Sequence, residues 1–203
     1  MHKSPLMTDP LPAFTNPVSF SVNPATPGPT NYTIPGFPVS ISQKKDNWCW
    51  AAVTSSISTC RNQPQGGLTQ EDVVRPFFPT LADSPSPIDV ALTHFGYRLS
   101  TYSASDLQVA AAKTSILNHV RDGLPVAIHI RWGGNDNIGH AVCAIGVEMV
   151  QGEDALWIFD PSQKDNDDDN QKLRTLSEMD HFDSGLASGK TGKWIIAHKV
   201  LSP

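Results

Sequence analysis

Four residues of this 203-residue chain have the types and the order of a thiol-based active site. They are Gln43, Cys49, His140 and Asp160. A cysteine attacks as its thiolate, so it needs an imidazole that takes its proton and a third group that orients that imidazole. The oxyanion that forms on the attacked carbonyl also needs hydrogen-bond donors. His140, Asp160 and Gln43 can fill these three roles, which predicts covalent catalysis by Cys49.

The sequence around Cys49 favours a reactive thiol. Residues 48–60 are predicted to form a helix, which places Cys49 in the first turn. The unpaired N–H groups of a first turn favour the thiolate. Trp48 and Trp50 flank the cysteine, and we predict that they shield it from water and contact the substrate. Taken alone, the same three residues are more typical of a buried apolar corner.

His140 and Asp160 stand at the ends of two predicted neighbouring strands. His140 follows a glycine-rich segment and opens an apolar strand, while Asp160 ends the next one. Two strands and a turn account for their separation, so a hairpin can bring them together. Gly139, directly before His140, is a third predicted substrate-binding residue beside Trp48 and Trp50. Singly, a solvated histidine and a turn-forming aspartate before proline are common.

Together these residues resemble the papain-like cysteine peptidases. That family has a Gln six residues before the cysteine, a Trp directly after it, a His-Ala-Val strand, and an Asn or Asp on the next strand. The matching residues here are Gln43, Cys49, Trp50, His140-Ala141-Val142 and Asp160, over about residues 40–200. The resemblance implies a protease with a Cys-His-Asp triad and Gln43 as an oxyanion donor.

The details of the match are more similar to compact bacterial members of the family. Cys49 and His140 are closer in sequence than in the larger papain and cathepsin enzymes, and Asp160 stands where those usually have Asn. The similarity extends to plant-pathogen effector proteases and to bacteriocin-leader peptidases that cut after Gly-Gly. It implies a specific protein substrate, with a cognate immunity or inhibitor protein or a host activator as a further partner. Because no Sec-type signal is visible, we expect an effector or toxin made in the bacterial cytoplasm and secreted by another route into a target cell cytosol.

Two other functions remain open for the same residues. A transglutaminase or a glutamine deamidase toxin also uses a Cys-His-Asp triad, and ammonia release without new peptide termini would distinguish it. The position of Gln43 favours the protease. A binding module on an inactive peptidase scaffold is disfavoured, because both Cys49 and His140 are present.

Composition disfavours several other classes of function. A net charge of −5 gives no basic surface for a polyanion, so we expect no nucleic acid partner. No segment approaches the roughly 18 apolar residues that span a bilayer, so we expect no membrane partner. Cys49, Cys60 and Cys143 are an odd number without metal-ligand spacing, which argues against a zinc site or a disulfide framework. A bridge between Cys60 and Cys143 stays open, and no cofactor is expected.

The elements that position these residues fall into three regions. Nine of the 17 prolines lie within the first 38 residues, which predicts a disordered leader over 1–38 and a peptidase domain over 39–203. Four helices and then four strands follow. The helices are expected at 48–60 with Asp46 or Asn47 as N-cap, from Thr69 to before Pro76, from Ser86 to Gly96, and from Ser105 to Gly123. The strands are expected at 125–132, 140–150, 155–159 and 193–201. This order predicts an α+β papain-like fold, with an N-terminal helical lobe, a C-terminal antiparallel β lobe and the catalytic cleft between them.

The remaining polar features carry less information. Five histidines without paired ligand spacing are predicted to be structural or at the surface, namely His94, His119, His129, His181 and His198. The acidic run 165–170 lacks the glycine and glutamate of a calcium loop, so a solvated loop is predicted there.

Overall fold

The structure is a computed structural model, and it describes residues 31–62, 66–103, 109–132, 139–162, 171–180, 182–183 and 191–201. Most of the predicted leader, His181 and the acidic run 165–170 lie outside these residues. The described part contains four α-helices, which are α1 (Cys49–Arg61), α2 (Gln70–Val74), α3 (Ile88–His94) and α4 (Val109–Arg121). Its strands are β1 (Tyr32–Thr33), β2 (Leu99–Ser103), β3 (Val126–Trp132), β4 (Gly139–Val150), β5 (Glu153–Phe159), β6 (Gln171–Thr175), β7 (Phe182–Asp183) and β8 (Thr191–Val200).

The strands form one antiparallel sheet in the order β2-β8-β3-β4-β5-β6. β1 adds to β4, and β7 adds to β8. The four predicted strands correspond to β3, β4, β5 and β8, and the predicted α+β class is confirmed. β2 and β6 were not predicted. Each is only five residues long and half-buried along its length, so neither shows the apolar alternation on which a strand prediction depends.

Helix α1 lies at the centre of the helical layer. Residues 50–58 are all buried, and six of these nine are alanine, serine or threonine. These small side chains let α1 pack against α2, α3 and β4 at the same time. The predicted N-cap was wrong, because Trp48 occupies that position without a side-chain capping bond. The Asn47 backbone instead donates to Asp83 Oδ1 at 2.9 Å, so a tertiary contact holds the turn before the helix.

The sheet separates two apolar clusters. One packs under α1, α2 and α3 and includes Trp50, Leu92 and Phe159. The other packs under α4 and includes Ile116 and Trp194. Each of these side chains is at most 1% exposed, so both faces of the sheet are buried and the ends of β4 and β5 are held in fixed positions.

Residues 32–37 belong to the folded structure, although the sequence placed them in the leader. Tyr32 pairs with Val147 of β4, and the ring of Phe37 meets the edge of Phe159 with centroids 5.4 Å apart. Ile34 and Phe37 are only 6% and 7% exposed. β4 extends beyond the end of β3, so its edge is open to another strand there. The proline-rich composition concealed this short apolar segment, and the predicted boundary at residue 38 is too late for these residues.

Short sequence signals correctly predicted where several of the helices begin or end. Thr69 and Asp72 form the capping box that begins α2. Gly96 and Gly123 follow α3 and α4 with φ of +86° and +80°, a conformation that glycine adopts without strain. Within the described ranges, no helix has the length and hydropathy needed to cross a membrane.

Candidate active site

The turn that leads into Cys49 is fixed by two indole rings. Trp48 Nε1 donates to the Ala82 carbonyl at 3.0 Å, and Trp50 Nε1 donates to the Ser84 carbonyl at 3.1 Å. Both tryptophans are 1% exposed. Because an indole has one N–H, each ring is anchored to the 82–84 loop by its only hydrogen bond. The two rings therefore hold the start of α1 in place and set the position of the Cys49 side chain.

His140 and Asp160 meet at one end of the β4–β5 hairpin. His140 is the second residue of β4, and Asp160 directly follows β5, which pairs antiparallel with β4. His140 Nε2 lies 2.7 Å from Asp160 Oδ1, and the two side chains are 8% and 14% exposed. A hydrogen bond of that length between buried partners orients the ring. This leaves Nδ1 of His140 for another contact.

That contact is the Cys49 thiol, which is hydrogen-bonded to the His140 ring. Burial alone raises the pKa of the Cys49 thiol, but the hydrogen bond and positive charge of His140 outweigh it and lower that pKa below its ordinary value. Backbone N–H groups of Ala141 and Trp50 also donate to the sulfur. The predicted helix N-terminus thus contributes to the thiolate, although the imidazole contributes more.

The same partners hold the imidazole in its charged form. Burial lowers the pKa of His140, but the carboxylate of Asp160 and the Cys49 thiolate raise it to about 10. Burial likewise raises the pKa of Asp160, and the His140 charge and hydrogen bonds from Ser162 bring it down to about 2. At neutral pH His140 therefore rests as an imidazolium and Asp160 as a carboxylate, and the charge on His140 favours the thiolate of Cys49.

Ser162 is a further member of the site that the sequence analysis did not single out. Its backbone N–H and its hydroxyl both donate to Asp160 Oδ1, at 2.9 Å and 2.7 Å. A hydrogen bond from residue i+2 to an aspartate is the signature of an Asx turn, which Asp-Pro-Ser could have indicated. The carbonyl of Pro161, between them, accepts from the Gln43 backbone N–H at 2.8 Å.

Gln43 lies beside this turn, with its side-chain amide engaged in its own loop. Nε2 donates to the carbonyls of Lys45 and Asp46 at 3.0 Å and 2.8 Å. Its buried Oε1 has no hydrogen-bond partner among the described residues. An oxyanion role for Gln43 requires that one Nε2 hydrogen turn from, or be shared with, a loop carbonyl. That role remains a prediction.

A cavity of about 270 Å³ opens beside Cys49 and His140. Its walls come from the helical layer and from β3, β4 and β8, so it lies between the two predicted lobes. Of the predicted substrate-binding residues, Trp50 and Gly139 line it. Trp48 does not, because its ring is turned into the apolar cluster beneath α1. The structure thus places Trp48 with the core rather than with the substrate.

Two residues of β3 also line the cavity, namely His129, which was predicted to be structural or at the surface, and Arg131, which was not singled out. They share a face of the sheet with Ala141 and Gly139, their partners in the β3–β4 register. The His129 ring lies directly over Gly139, where a Cβ atom would overlap it. Burial and then the charge of Arg131 lower the pKa of His129, so the ring is neutral at pH 7. Strand pairing alone brings these residues to the site, so sequence spacing gave no signal.

The other polar predictions concern residues away from the cavity. His119 and His198 are buried, 6% and 4% exposed, and His94 packs between Phe77 and Phe95.

Cys49, Cys60 and Cys143 are all free thiols, so the open possibility of a Cys60–Cys143 bridge is not realised. Within the part of the chain that the structure describes, no group of three or more His, Cys, Asp or Glu residues could hold a metal ion.

Comparisons with known proteins agree with this geometry. The model of the Peptidase_C39 like family matches residues 39–184. No curated protein matches the sequence. Among solved structures, one is described as the "Structural basis for the limited antibody cross reactivity between the mite allergens Blo t 1 and Der p 1". It has a TM-score of 0.53 at 14% identity, over 89% of this chain and 74% of that one.

A second similar structure is the digestive procathepsin L 3 of Tenebrio molitor larval midgut. Its TM-score is 0.50 at 12% identity, over 89% of this chain and 72% of that one. At such identities the two structures establish the fold, and the family match establishes the lineage. The chain therefore belongs to the Peptidase_C39 like family and is a cysteine peptidase with the papain-like fold.

Proposed function

We propose that Cys49, His140 and Asp160 act as the catalytic triad of this peptidase and cleave peptide bonds of a specific protein target. The observation that carries the proposal is the continuous contact from the Cys49 thiol through His140 to Asp160, at the wall of a cavity. A thiolate, an imidazolium that can give a proton to the leaving group and a carboxylate that orients the imidazolium are the groups that acyl transfer to sulfur requires.

In the proposed reaction, the Cys49 thiolate attacks the substrate carbonyl carbon and forms a carbon–sulfur bond. The His140 imidazolium then gives its proton to the leaving nitrogen, and the carbon–nitrogen bond breaks. The neutral His140 then takes a proton from a water molecule, and the hydroxide attacks the thioester carbon. The carbon–sulfur bond breaks, which releases the acid and restores the Cys49 thiolate and the His140 imidazolium. Asp160 stays ionised throughout and stabilises the imidazolium.

Two donors are proposed for the oxyanion. The Cys49 backbone N–H belongs to the first turn of α1, where N–H groups have no partner within the helix. The second is the Gln43 side chain, once one Nε2 hydrogen leaves its loop carbonyl. Losing one donor of this kind costs on the order of 10²–10³ in rate, so Gln43→Ala is expected to lower kcat more than it raises KM.

The biological setting proposed here is a bacterial effector or toxin that acts on a cytosolic protein of a target cell. The support is the sequence similarity to compact bacterial peptidases and the small, acidic chain. A cognate inhibitor or a host activator is part of the same proposal. The substrate would present an extended segment, because the cavity lies between two layers of the fold.

The test is to map new protein N-termini. Bacterial and eukaryotic lysates are treated separately with wild-type protein and with Cys49→Ala, and new termini are identified by mass spectrometry. Cys60→Ala is the matched control, because it removes a partly buried thiol away from the cavity. We expect a few termini in one protein that require Cys49 and do not require Cys60.

Other results would change the assignment. Hundreds of Cys49-dependent termini would indicate a degradative enzyme instead of a specific one. Ammonia release or crosslinked lysines without new termini would replace proteolysis with the deamidase or transglutaminase alternative. Termini that persist with Cys49→Ala would remove Cys49 from the mechanism.

A further inference from the structure

The turn formed by Asp160, Pro161 and Ser162 joins the two halves of the site. Asp160 Oδ1 accepts three hydrogen bonds, from His140 Nε2, the Ser162 backbone N–H and the Ser162 hydroxyl, at 2.7, 2.9 and 2.7 Å. The next carbonyl in the chain, that of Pro161, accepts the backbone N–H of Gln43 at 2.8 Å. Contacts from the helical side and the strand side thus converge on one three-residue turn.

The three bonds to one oxygen define the position of the carboxylate. An Asp side chain has two dihedral angles, and a single bond to His140 would leave it free to rotate about that contact. The two Ser162 donors approach from the chain that follows Asp160 and not from β4. Bonds from two directions leave one orientation, in which Oδ1 faces Nε2 of the ring. The hydroxyl bond is charge-assisted and short, so it is a strong contributor.

We propose that Ser162 is a positioning residue of this peptidase, whose hydroxyl holds the Asp160 carboxylate against His140. The proposal rests on the catalytic triad proposed above. Ser162 touches no reacting atom, so its effect reaches Cys49 only through Asp160 and His140.

The expected consequence is a change in the pH range of the ion pair. Asp160 raises the pKa of His140, and the charged His140 lowers that of Cys49. A loosely held carboxylate lets the pKa of His140 fall from about 10. His140 is still charged at the pH where Cys49 loses its proton, so the range of pH over which thiolate and imidazolium coexist becomes narrower from its upper end.

The titratable groups that face this contact come from α1, β3 and β4. Asp160 is faced by His140 of β4, and His140 is faced by Cys49 of α1 and His129 of β3. His129 carries a lowered pKa, from burial first, and stays neutral at and above pH 7. Of these groups, only Asp160 contacts Ser162, so the profile change is specific to that contact.

The experiment measures the rate of Cys49 alkylation by iodoacetamide between pH 4 and 11. Wild-type protein is compared with Ser162→Ala, which removes the hydroxyl and keeps the backbone N–H bond. In Ser162→Ala we expect the upper inflection, at which His140 loses its proton, to move down by about half a pH unit or more, since a hydrogen bond to a charged group contributes about 1.5–3 kcal/mol. Ser162→Thr retains a hydroxyl and should restore the wild-type profile. Ser162→Val has the shape of threonine without the hydroxyl and should match Ser162→Ala.

The matched control is Ser115→Ala on α4, which removes a hydroxyl bond to Tyr102 at 3.1 Å away from the cavity. Its profile should equal that of wild type even if its thermal midpoint falls. Identical profiles for wild type, Ser162→Ala and Ser162→Val would overturn the positioning role. If Ser162→Ala does not fold, the comparison of Thr with Val decides the question. A wild-type Cys49 that reacts no faster than Cys60 or Cys143 would instead refute the triad itself.

Discussion

The Cys49 thiol differs from the other two cysteines in its surroundings. Cys49 is hydrogen-bonded to an imidazolium, which lowers its pKa. Burial raises the pKa of Cys60 despite the nearby charge of Arg61, and burial in β4 raises that of Cys143 further. Cys49 therefore loses its proton at a lower pH than either Cys60 or Cys143.

This difference predicts site-selective alkylation. At pH 7 we expect iodoacetamide to modify Cys49 on the order of tenfold faster than Cys60 or Cys143, because the thiolate is the nucleophile. The Cys49 rate should be steady from its lowered pKa up to about 10, where His140 loses its proton. Mass spectrometry of the labelled peptides measures the rates. His140→Ala should remove the advantage of Cys49, and equal labelling of all three thiols would contradict the prediction.

The His129 ring on the adjacent strand leaves room only for a glycine at position 139. A Cβ at this position would overlap Nε2 of His129, so Gly139→Ala must push the ring aside or shift the start of β4. We expect a loss of about 1–3 kcal/mol in the free energy of unfolding, the usual cost of overpacking. Activity should fall as well, because His140 is the next residue. Urea unfolding and iodoacetamide labelling measure the two effects.

The control for this prediction is the double variant His129→Ala/Gly139→Ala. Without the His129 ring, the alanine at position 139 has room. The loss of unfolding free energy in the double variant should therefore be smaller than the sum of the losses in the two single variants. A double variant with purely additive losses would show that the His129 ring is not the obstacle.

At the scale of elements, β1 and the segment after it are part of the sheet and its core and do not belong to a leader outside the fold. The strand covers the edge of β4 beyond β3, and Ile34 and Phe37 enter the two apolar clusters on opposite faces of the sheet. Gly146 makes this possible, since a Cβ there would lie 2.8 Å from the Tyr32 carbonyl oxygen. The same β4 carries His140, so its edge contacts bear on the site.

A truncation series tests this element. A chain that begins at residue 31 keeps every described contact and should retain the wild-type unfolding midpoint and Cys49 reactivity. A chain that begins at residue 39 lacks Ile34 and Phe37, so the apolar surfaces that they cover become exposed. Its free energy of unfolding should fall by about 3–6 kcal/mol, from about 1.5–3 kcal/mol for each of the two side chains. That is a large part of the 5–15 kcal/mol by which a typical domain is stable. Chemical denaturation measures both, and equal stability of the two chains would show that the segment does not contribute to the fold.

At the scale of the whole molecule, the site assembles from both layers of an α+β fold. The helical layer supplies Gln43 and Cys49, and the sheet supplies His140, Asp160 and Ser162. The indoles of Trp48 and Trp50 fix the first group to the loop at 82–84, and the apolar clusters on both faces of the sheet fix the second. The distance between thiol and imidazole is thus set by how the two layers pack.

The sequence alone determined the features that depend on neighbours along the chain. Residues 48–60 lack proline and glycine, so the helix that carries Cys49 was predicted within one residue of its observed bounds. The hairpin of β4 and β5 follows from two apolar runs and the turn at Gln151-Gly152, and it brings His140 and Asp160 together. The order of Gln43, Cys49, His140 and Asp160 indicated the papain-like fold, which the structure and the comparisons confirm.

Only the tertiary structure decided the features that depend on contacts between distant segments. Trp48 is buried because the loop at 82–84 accepts its N–H. His129 lines the cavity because the β3–β4 register lays it over Gly139. Residues 32–37 fold because β4 leaves an edge that β3 does not cover. Composition and periodicity describe a segment by itself, and they contain no information about which surface another segment will present to it.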